Sequence, residues 1–246
     1  MSKTIIFNWK MNPATEQEAV SLAQASDAAQ AVIAPPFPFL KSVAATVKKA
    51  ALAGQDISAE EKGAFTGQVS AGQLKSFGVS CVIAGHSEKR RLGDTDELIA
   101  KKLAIAVRHG LIPVLCVGEN RSDHDAGRAE AVVEKQLEKD LSIIHNSKFI
   151  NQKIIIAYEP VWSISTEPGA QPDTPENAIA MISFIKKSFA VNSHKSLVIS
   201  YFYGGSVTSA NAESFLKNKE IEGALVGGAS LKQEEIKKIL QIAKKY

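Results

Sequence analysis

Short runs of apolar residues alternate with longer amphipathic stretches along the whole chain. A short apolar run is typical of a strand buried on both faces, whereas apolar positions three and four residues apart are typical of a helix that packs on one side. The apolar runs predict strands at Thr4–Asn8, Ala31–Ala34, 51–55, Cys81–Ala84, Ile112–Val117, 153–158, 197–200 and Gly223–Val226. The clearest helices are predicted at 95–108, 128–144, 175–190 and 232–244.

The order of these elements predicts the fold class. Eight strand–helix units within 246 residues close most simply into one α/β structure, the (β/α)8 TIM barrel. An open, doubly wound sheet is the alternative that the same alternation allows. Because no linker or low-complexity segment divides the sequence, we predict a single barrel domain over residues 1–246.

The stretch IIIAYEPVW, residues 154–162, contains the first candidate for catalysis. Glu159 follows the apolar run directly, and Pro160 lacks an N–H group and disfavours helix in the residue before it, so the strand should end there. Active sites of barrel enzymes lie at the carboxyl ends of the strands. Glu159 is therefore a candidate catalytic carboxylate, although a solvated Glu at a strand end would give the same pattern.

Composition limits the classes of protein to consider. Hydrophobic residues make up 45% and charged residues 22%, which is the balance of a folded globular protein. No apolar run approaches the ~20 residues of a spanning helix, and the N-terminus lacks the apolar core of a signal peptide. We therefore expect no membrane association and a cytoplasmic location. The net charge of +3 is too small and too dispersed to indicate nucleic-acid binding.

Cysteine and metal chemistry are not indicated by the sequence. Cys81 and Cys116 each lie inside an apolar run, so we interpret them as core residues and not as a disulfide or a ligand pair. No cluster of ligand residues has metal-site spacing, and we predict no metal.

Polar residues after two other strands extend the candidate site. Asn8 and Lys10 come at the end of the first strand, where Lys can hold an anionic substrate and Asn can orient it. Taken alone, Lys10 is better interpreted as a surface residue beside a turn. His86 follows the fourth strand, just before a helix start at Ser87. Because a helix N-terminus opposes protonation of an imidazole, we expect a neutral, hydrogen-bond-donating His86, with a structural His as the alternative.

Paired glycines follow the last two predicted strands, in YGGSV (203–207) and VGGAS (226–230). Without side chains, the backbone N–H groups of such loops can approach an anion closely. Loops after the seventh and eighth strands form phosphate sites in many barrels of this class. Two pairs at equivalent positions therefore predict a phosphate-binding site.

Together these motifs resemble the triosephosphate isomerase family. The resemblance spans nearly the whole chain and rests on FNWKMN (7–12), GQD (54–56), GAFTGQVSA (63–71), AGHSEKRR (84–91), CVGE (116–119), AYEPVW (157–162), YGGSV (203–207) and LVGGAS (225–230). It implies a cofactor-independent isomerase of glycolysis and gluconeogenesis that interconverts dihydroxyacetone phosphate and D-glyceraldehyde 3-phosphate.

The resemblance also implies a role for each matching residue. Glu159 would be the catalytic base, His86 the neutral electrophile and Lys10 the substrate-binding cation. The other matches are Asn8 as a polar substrate contact, Glu88 as a buried carboxylate behind the site, and Ser206, Gly227 and Gly228 as phosphate contacts.

The reaction class agrees with these residue types. Moving a proton between the carbons of a ketose and an aldose phosphate needs a carboxylate base, and the charge that develops on oxygen needs preorganised donors. Two alternatives stay open. Another phosphosugar enzyme would keep the glycine pairs without needing Lys10, His86 and Glu159 together, and a non-catalytic barrel would bind phosphosugars without turnover.

Residues 163–173, SISTEPGAQPD, depart from the family pattern. The family has a lid with a Gly-Thr-Gly-Lys tip here, and this segment is about three residues longer when aligned on Trp162 and 174–176. Ser165 stands where the family's phosphate-binding Gly stands, while Glu167 and Pro168 replace its second Gly and its Lys. We expect a working lid in which the Ser165 N–H group donates to phosphate after closure.

The loop GAFTGQVSA, residues 63–71, is too apolar at Ala64 and Phe65 to be left in water without a reason. It resembles the loop with which two subunits of the family interlock. We therefore expect a homodimer in which Thr66 supports the partner's site near Asn8 and His86.

Overall fold

The computed structural model describes residues 2–144, 151–191 and 197–246. Within these ranges, parallel strands pair in chain order and form a closed barrel, because the first strand also pairs with the last. The (β/α)8 fold predicted from the alternation is confirmed. The strands are β1 (Thr4–Asn8), β2 (Ala31–Ala34), β3 (Ala51–Gly54), β4 (Cys81–Ala84), β5 (Ile112–Val117), β6 (Gln152–Tyr158), β7 (Leu197–Tyr203) and β8 (Gly223–Val226).

Helices connect the strands and pack on the outside of the barrel. They are α1 (Glu16–Ser26), α2 (Leu40–Thr46), α3 (Ala71–Ser76), α4 (Ser87–Arg91), α5 (Asp96–Arg108), α6 (Arg121–Asp125), α7 (Ala129–Asp140), α8 (Pro175–Val191), α9 (Ala212–Leu216) and α10 (Gln233–Lys245). Short 3₁₀ turns also occur, one of them at Val161–Ser163. Among the helices described, none combines the length and the apolar character needed to cross a bilayer.

Most predicted boundaries agree with the structure to within one residue, but two do not. β7 continues three residues beyond the predicted end at Ser200, because Tyr201, Phe202 and Tyr203 stay in register with β6 up to the pair Tyr158 and Tyr203. The helix predicted over 128–144 ends at Asp140. The residues that follow form turns, which apolar spacing alone did not distinguish from another helical turn.

The core has two layers. An outer layer lies between the strands and the helices, and an inner layer fills the barrel with side chains that include Ile6, Ile83 and Phe202. Cys81 and Cys116 belong to the inner layer as free thiols, as predicted, and burial raises the pKa of Cys81 to about 12. Because the interior is filled, polar chemistry in this fold is placed on the loops beyond the strand ends.

Candidate active site

Glu159 is placed by backbone contacts with the two strands beside β6. Its N–H group donates to the Val117 carbonyl at 2.8 Å, and the N–H group of Gly204 donates to the Tyr158 carbonyl at 2.7 Å. The side chain is only 2% exposed at the barrel mouth. The carboxylate predicted at the strand end is therefore a buried group held in a fixed backbone frame.

Donors from the loop after β4 hold both oxygens of the Glu159 carboxylate. Oε2 accepts from the Ser87 N–H group at 2.9 Å, and Oε1 lies 3.1 Å from the Ser87 hydroxyl and 3.0 Å from His86 Nε2. Burial raises the pKa of Glu159, but the charge and hydrogen bond of His86 and the Ser87 N–H group bring it below its ordinary value. Glu159 is thus held in the ionised form. From the sequence, Ser87 was predicted only as a helix start.

The hydrogen bonds of His86 define its tautomer. Nδ1 accepts from the N–H group of Glu88 at 3.2 Å, so the ring proton lies on Nε2 and is directed to Glu159 Oε1. The expected lowering of its pKa is wrong for this arrangement. Burial lowers the pKa of His86, but the charge and hydrogen bond of Glu159 raise it more, so the net shift is upward. The contact with the carboxylate outweighs any effect of the short helix α4.

Lys10 has a strained backbone that its neighbours stabilise. Its φ of 54° lies in the left-handed region, which is uncommon outside glycine. Its N–H group donates to Asn8 Oδ1 at 3.0 Å, and Gln55 Nε2 donates to its carbonyl at 2.8 Å. Lys10 Nζ contacts Glu88 Oε1 at 2.7 Å. Glu88 was predicted to be buried, but its side chain is 34% exposed because it lines a groove open to solvent.

The residues predicted to act on substrate lie around one cavity of about 540 Å³. The glycine pairs bring the last two loops close to the other groups: a Cβ atom added at Gly227 would lie 3.4 Å from Lys10 Cε. The structure therefore brings together residues that come from both ends of the chain. The predicted residues on the cavity wall are Asn8, Lys10, His86, Glu159, Ser165, Ser206, Gly227 and Gly228.

The first half of the segment 163–173 forms part of the cavity wall, with Ile164, Ser165 and Thr166 facing it. The Ser165 N–H group, predicted to donate to phosphate, here donates to Ser206 Oγ at 2.9 Å. The Ser206 hydroxyl in turn donates to the Ser163 carbonyl at 2.8 Å. The segment is therefore already joined to the loop after β7 by two hydrogen bonds.

Two arginines contact the rest of the segment, residues 167–173, or the residue just before the segment. Arg121 donates to the carbonyl of Trp162 at 3.3 Å and to that of Gly169 at 3.0 Å, and Arg91 pairs with Glu167 at 2.6 Å. Gly169 has a φ of 69°, which a residue with a side chain rarely adopts. The roles of these arginines were not predicted from the sequence, because each contact joins segments that are far apart in the sequence.

Thr66 lies in the loop between β3 and α3 and is exposed to solvent. It is not among the residues that line the cavity. Within the chain, the structure therefore does not bring Thr66 to the site, and its action on a partner stays a prediction.

The model of the family described as triosephosphate isomerase matches residues 3–243. The chain belongs to the triosephosphate isomerase family. It is similar to a triosephosphate isomerase from Paracidovorax citrulli, with 40% identity over 98% of each chain. Triosephosphate isomerases from Treponema denticola, at 43% identity over 94% of each chain, and Hahella chejuensis, at 41% over 98% of each, are also similar. As a member of this family the chain is an isomerase.

Proposed function

We propose that this isomerase uses Glu159, His86 and Lys10 to interconvert dihydroxyacetone phosphate and D-glyceraldehyde 3-phosphate through an enediolate. The observation that carries the proposal is the 3.0 Å contact between His86 Nε2 and Glu159 Oε1 beside Lys10 in one cavity. A carboxylate base and an uncharged N–H donor are the two groups that proton transfer next to a carbonyl needs.

Glu159 becomes a stronger base when it turns from its present partners toward substrate. Burial raises its pKa, whereas the contacts with His86 and Ser87 lower it. When Glu159 leaves His86 and Ser87, their contributions to lowering its pKa are lost while the effect of burial remains. The proton affinity of the carboxylate therefore rises as it reaches the substrate carbon. Glu159 then takes a proton from the carbon beside the carbonyl and returns it to the former carbonyl carbon, while the hydroxyl proton passes from one substrate oxygen to the other.

The same movement releases the Nε2–H group of His86. Burial and the charge of Lys10 lower the pKa of His86, and Glu159 is the main group that opposes them. Once Glu159 has moved away, the imidazole is neutral and can donate to the substrate oxygen on which charge develops. Lys10 adds a positive charge on the same side of the cavity. These steps move a proton and an electron pair within the substrate, and they require no cofactor.

The phosphate group would bind at the loops that follow β7 and β8, next to Lys10. Gly227 and Gly228 offer backbone N–H groups at the start of a 3₁₀ turn, next to Ser206 in the neighbouring loop. In this scheme the Ser165 N–H group exchanges its present acceptor, Ser206 Oγ, for a phosphate oxygen. Asn8 lines the cavity beside Lys10 and would orient the substrate.

A groove beside Lys10 supports the proposal of a homodimer. This second cavity, of about 340 Å³, is lined by residues that include Met11, Glu88 and Leu92, and the side chains of Met11 and Leu92 are 93% and 79% exposed. Phe65, in the loop 63–71, is 46% exposed. Large apolar side chains that are exposed together are typical of an interface. A second copy would place its Thr66 loop in this groove and cover Glu88, which supports the site without entering the chemistry.

A coupled assay with each triose phosphate in turn tests the proposal. We expect turnover in both directions by the unmodified chain and a large loss of kcat in His86→Asn. Binding of a phosphosugar without turnover would instead indicate a non-catalytic barrel, and turnover of other phosphosugars alone would indicate a different specificity. The setting implied by the reaction is glycolysis and gluconeogenesis in the cytoplasm.

A further inference from the structure

Asp140, the last residue of α7, is a fully buried carboxylate outside the cavity described above. Its Oδ2 atom accepts a hydrogen bond from Arg90 Nη2 at 2.5 Å. Its Oδ1 atom has no hydrogen-bond partner among the residues that the structure describes. A buried carboxylate that is only partly satisfied costs folding free energy, so its presence calls for a physical reason.

Arg90, the partner of Asp140, connects several elements behind the site. Its Nε atom donates to the Gly85 carbonyl at 2.8 Å, and Nη2 donates to the Cys116 carbonyl at 3.2 Å. Its Nη1 atom donates to Asp96 Oδ1 at 2.8 Å. Because the donors of a guanidinium form a rigid planar fork, these bonds fix the two carbonyl groups relative to each other.

Gly85 directly precedes His86, and its conformation requires glycine. Its φ is 71°, and a Cβ atom there would lie 2.8 Å from Arg90 Nη2 and 2.9 Å from the Cys116 carbonyl oxygen. The guanidinium therefore packs directly against the turn that carries His86. A shift of Arg90 would move the Gly85 peptide and with it the backbone of His86.

We propose that Asp140 is a positioning residue for His86, acting through Arg90 and the Gly85 carbonyl. Asp140 does not line the cavity, so it acts on the reaction only through these groups. Without Asp140, Asp96 is the remaining carboxylate on Arg90, and it draws the guanidinium toward α5 and away from the His86 turn. The inference rests on the proposed function, because it assumes that His86 donates to the reacting oxygen.

The charges around Asp140 make this link sensitive to pH. Burial raises the pKa of Asp140 to about 7, against the opposing charge and hydrogen bond of Arg90, and Asp96 and Glu97 on α5 raise it further. Lys139 on α7 lies 3.9 Å from Asp96 and 3.7 Å from Glu97, and it partly offsets those two charges. Ionisation of Asp140 above neutral pH strengthens its bond to Arg90, since a charged acceptor binds guanidinium more tightly.

Steady-state kinetics of Asp140→Leu, Asp140→Asn and Arg90→Lys test the link. Asp140→Leu should lower kcat on the order of tenfold, because misplacing a catalytic group by about 1 Å costs up to roughly a hundredfold. Its KM should stay within about twofold, since His86 acts mainly on the charge of the transition state. Asp140→Asn should keep most of kcat, because its amide oxygen still accepts from Arg90. Val133→Ala, a buried change on the same helix, controls for loss of packing and should leave kcat unchanged.

Arg90→Lys tests the link even if Asp140→Leu does not fold. It keeps the positive charge but loses the fork, so its kcat should fall on the same scale as that of Asp140→Leu. Wild-type kcat in Arg90→Lys, or in a folded Asp140→Leu, would overturn the inference.

A double variant separates this inference from the proposed function. If Asp140 acts through His86, adding Asp140→Leu or Arg90→Lys to His86→Asn should lower kcat by less than about twofold further. An undiminished further loss would overturn the positioning role and leave the role of His86 standing. Full activity in His86→Asn alone would instead contradict the proposed function.

Discussion

Gly118 packs so closely against Glu159 that a Cβ atom on Gly118 would overlap the Glu159 backbone. Gly118 directly follows β5, and Glu159 follows the neighbouring strand β6. The backbone of Gly118 is also held in place, because its N–H group donates to Gln136 Oε1 at 2.8 Å. Glycine at position 118 is therefore what allows the candidate base to lie against the next strand.

Gly118→Ala should displace Glu159 and lower activity. Forcing a methyl group into a packed region costs roughly 1–3 kcal/mol, and a shift of the base by about 1 Å costs up to roughly a hundredfold in rate. Activity and thermal unfolding of the variant would measure both effects. Gly72→Ala is the matched control, because its Cβ atom on helix α3 would meet only Ser70 Oγ, at an ordinary contact distance of 4.0 Å. That change should leave activity intact and not lower Tm.

Glu159→Asp should keep the fold and lose most activity. Removing one methylene group withdraws the carboxylate from the substrate carbon, and a displacement of this size costs on the order of a hundredfold in kcat. Stopped assays and circular dichroism would check activity and fold. A variant with near wild-type kcat would remove Glu159 from the role of base.

Asp140→Asn should stabilise the protein more at alkaline than at acidic pH. The pKa of Asp140 rises from an ordinary 3.8 to about 7 on folding, so its contribution to stability is complete below about pH 4 and is lost as pH rises through 7. Asn does not ionise and avoids that loss. The stability difference between variant and wild type should grow by on the order of 3 kcal/mol from about pH 5 to about pH 8.

Denaturant unfolding at the two pH values would measure this difference. The exposed substitution Asp125→Asn controls for the loss of a carboxylate. A difference that does not change with pH would show that Arg90 keeps Asp140 ionised throughout.

Deleting residues 168–170 should impair the lid more than the fold. The deletion removes the Gly169 carbonyl that Arg121 holds, while the anchor at Trp162 and the start of α8 remain. We expect lower kcat and more elimination of phosphate from the intermediate, with little change in Tm, because closure excludes water. Arg121→Met, which removes the contact without shortening the segment, is the matched comparison. A structure with a phosphate-mimicking inhibitor in which Ser165 makes no contact with the anion would count against the lid.

Leu92→Glu should weaken subunit association. It places a charge in the groove beside Lys10, where burying it without a partner is costly. Sedimentation velocity should show a monomer of reduced activity, while Val198→Glu, at an exposed apolar residue outside this groove, should stay dimeric. A wild-type chain that is fully active as a monomer would contradict the homodimer.

The barrel could be predicted because buried parallel strands have apolar runs that the sequence shows directly. The positions of Glu159, His86 and Lys10 followed from the same reasoning, since each comes just after a strand and strand ends meet at one edge. The extent of β7 was less clear, because the aromatic run 201–203 follows a polar Ser200.

Properties that depend on contacts between distant side chains could not be predicted. The upward shift in the pKa of His86 depends on its 3.0 Å distance from Glu159, which no local pattern encodes. Asp140 was not a candidate from the sequence. Its pairing with Arg90, which comes from another element, is likewise not encoded in a local pattern.

Closure of the barrel by β1 and β8 has a consequence for the order of folding. Lys3 donates to the carbonyl of Ile221 across a separation of 218 residues, and Lys10 lies beside Gly227. Such contacts are of high contact order and form late, because a long loop must close first. On a ribosome, the segment that carries Lys10 emerges long before β8, so a nascent chain has an open edge at β1 and an incomplete candidate phosphate site.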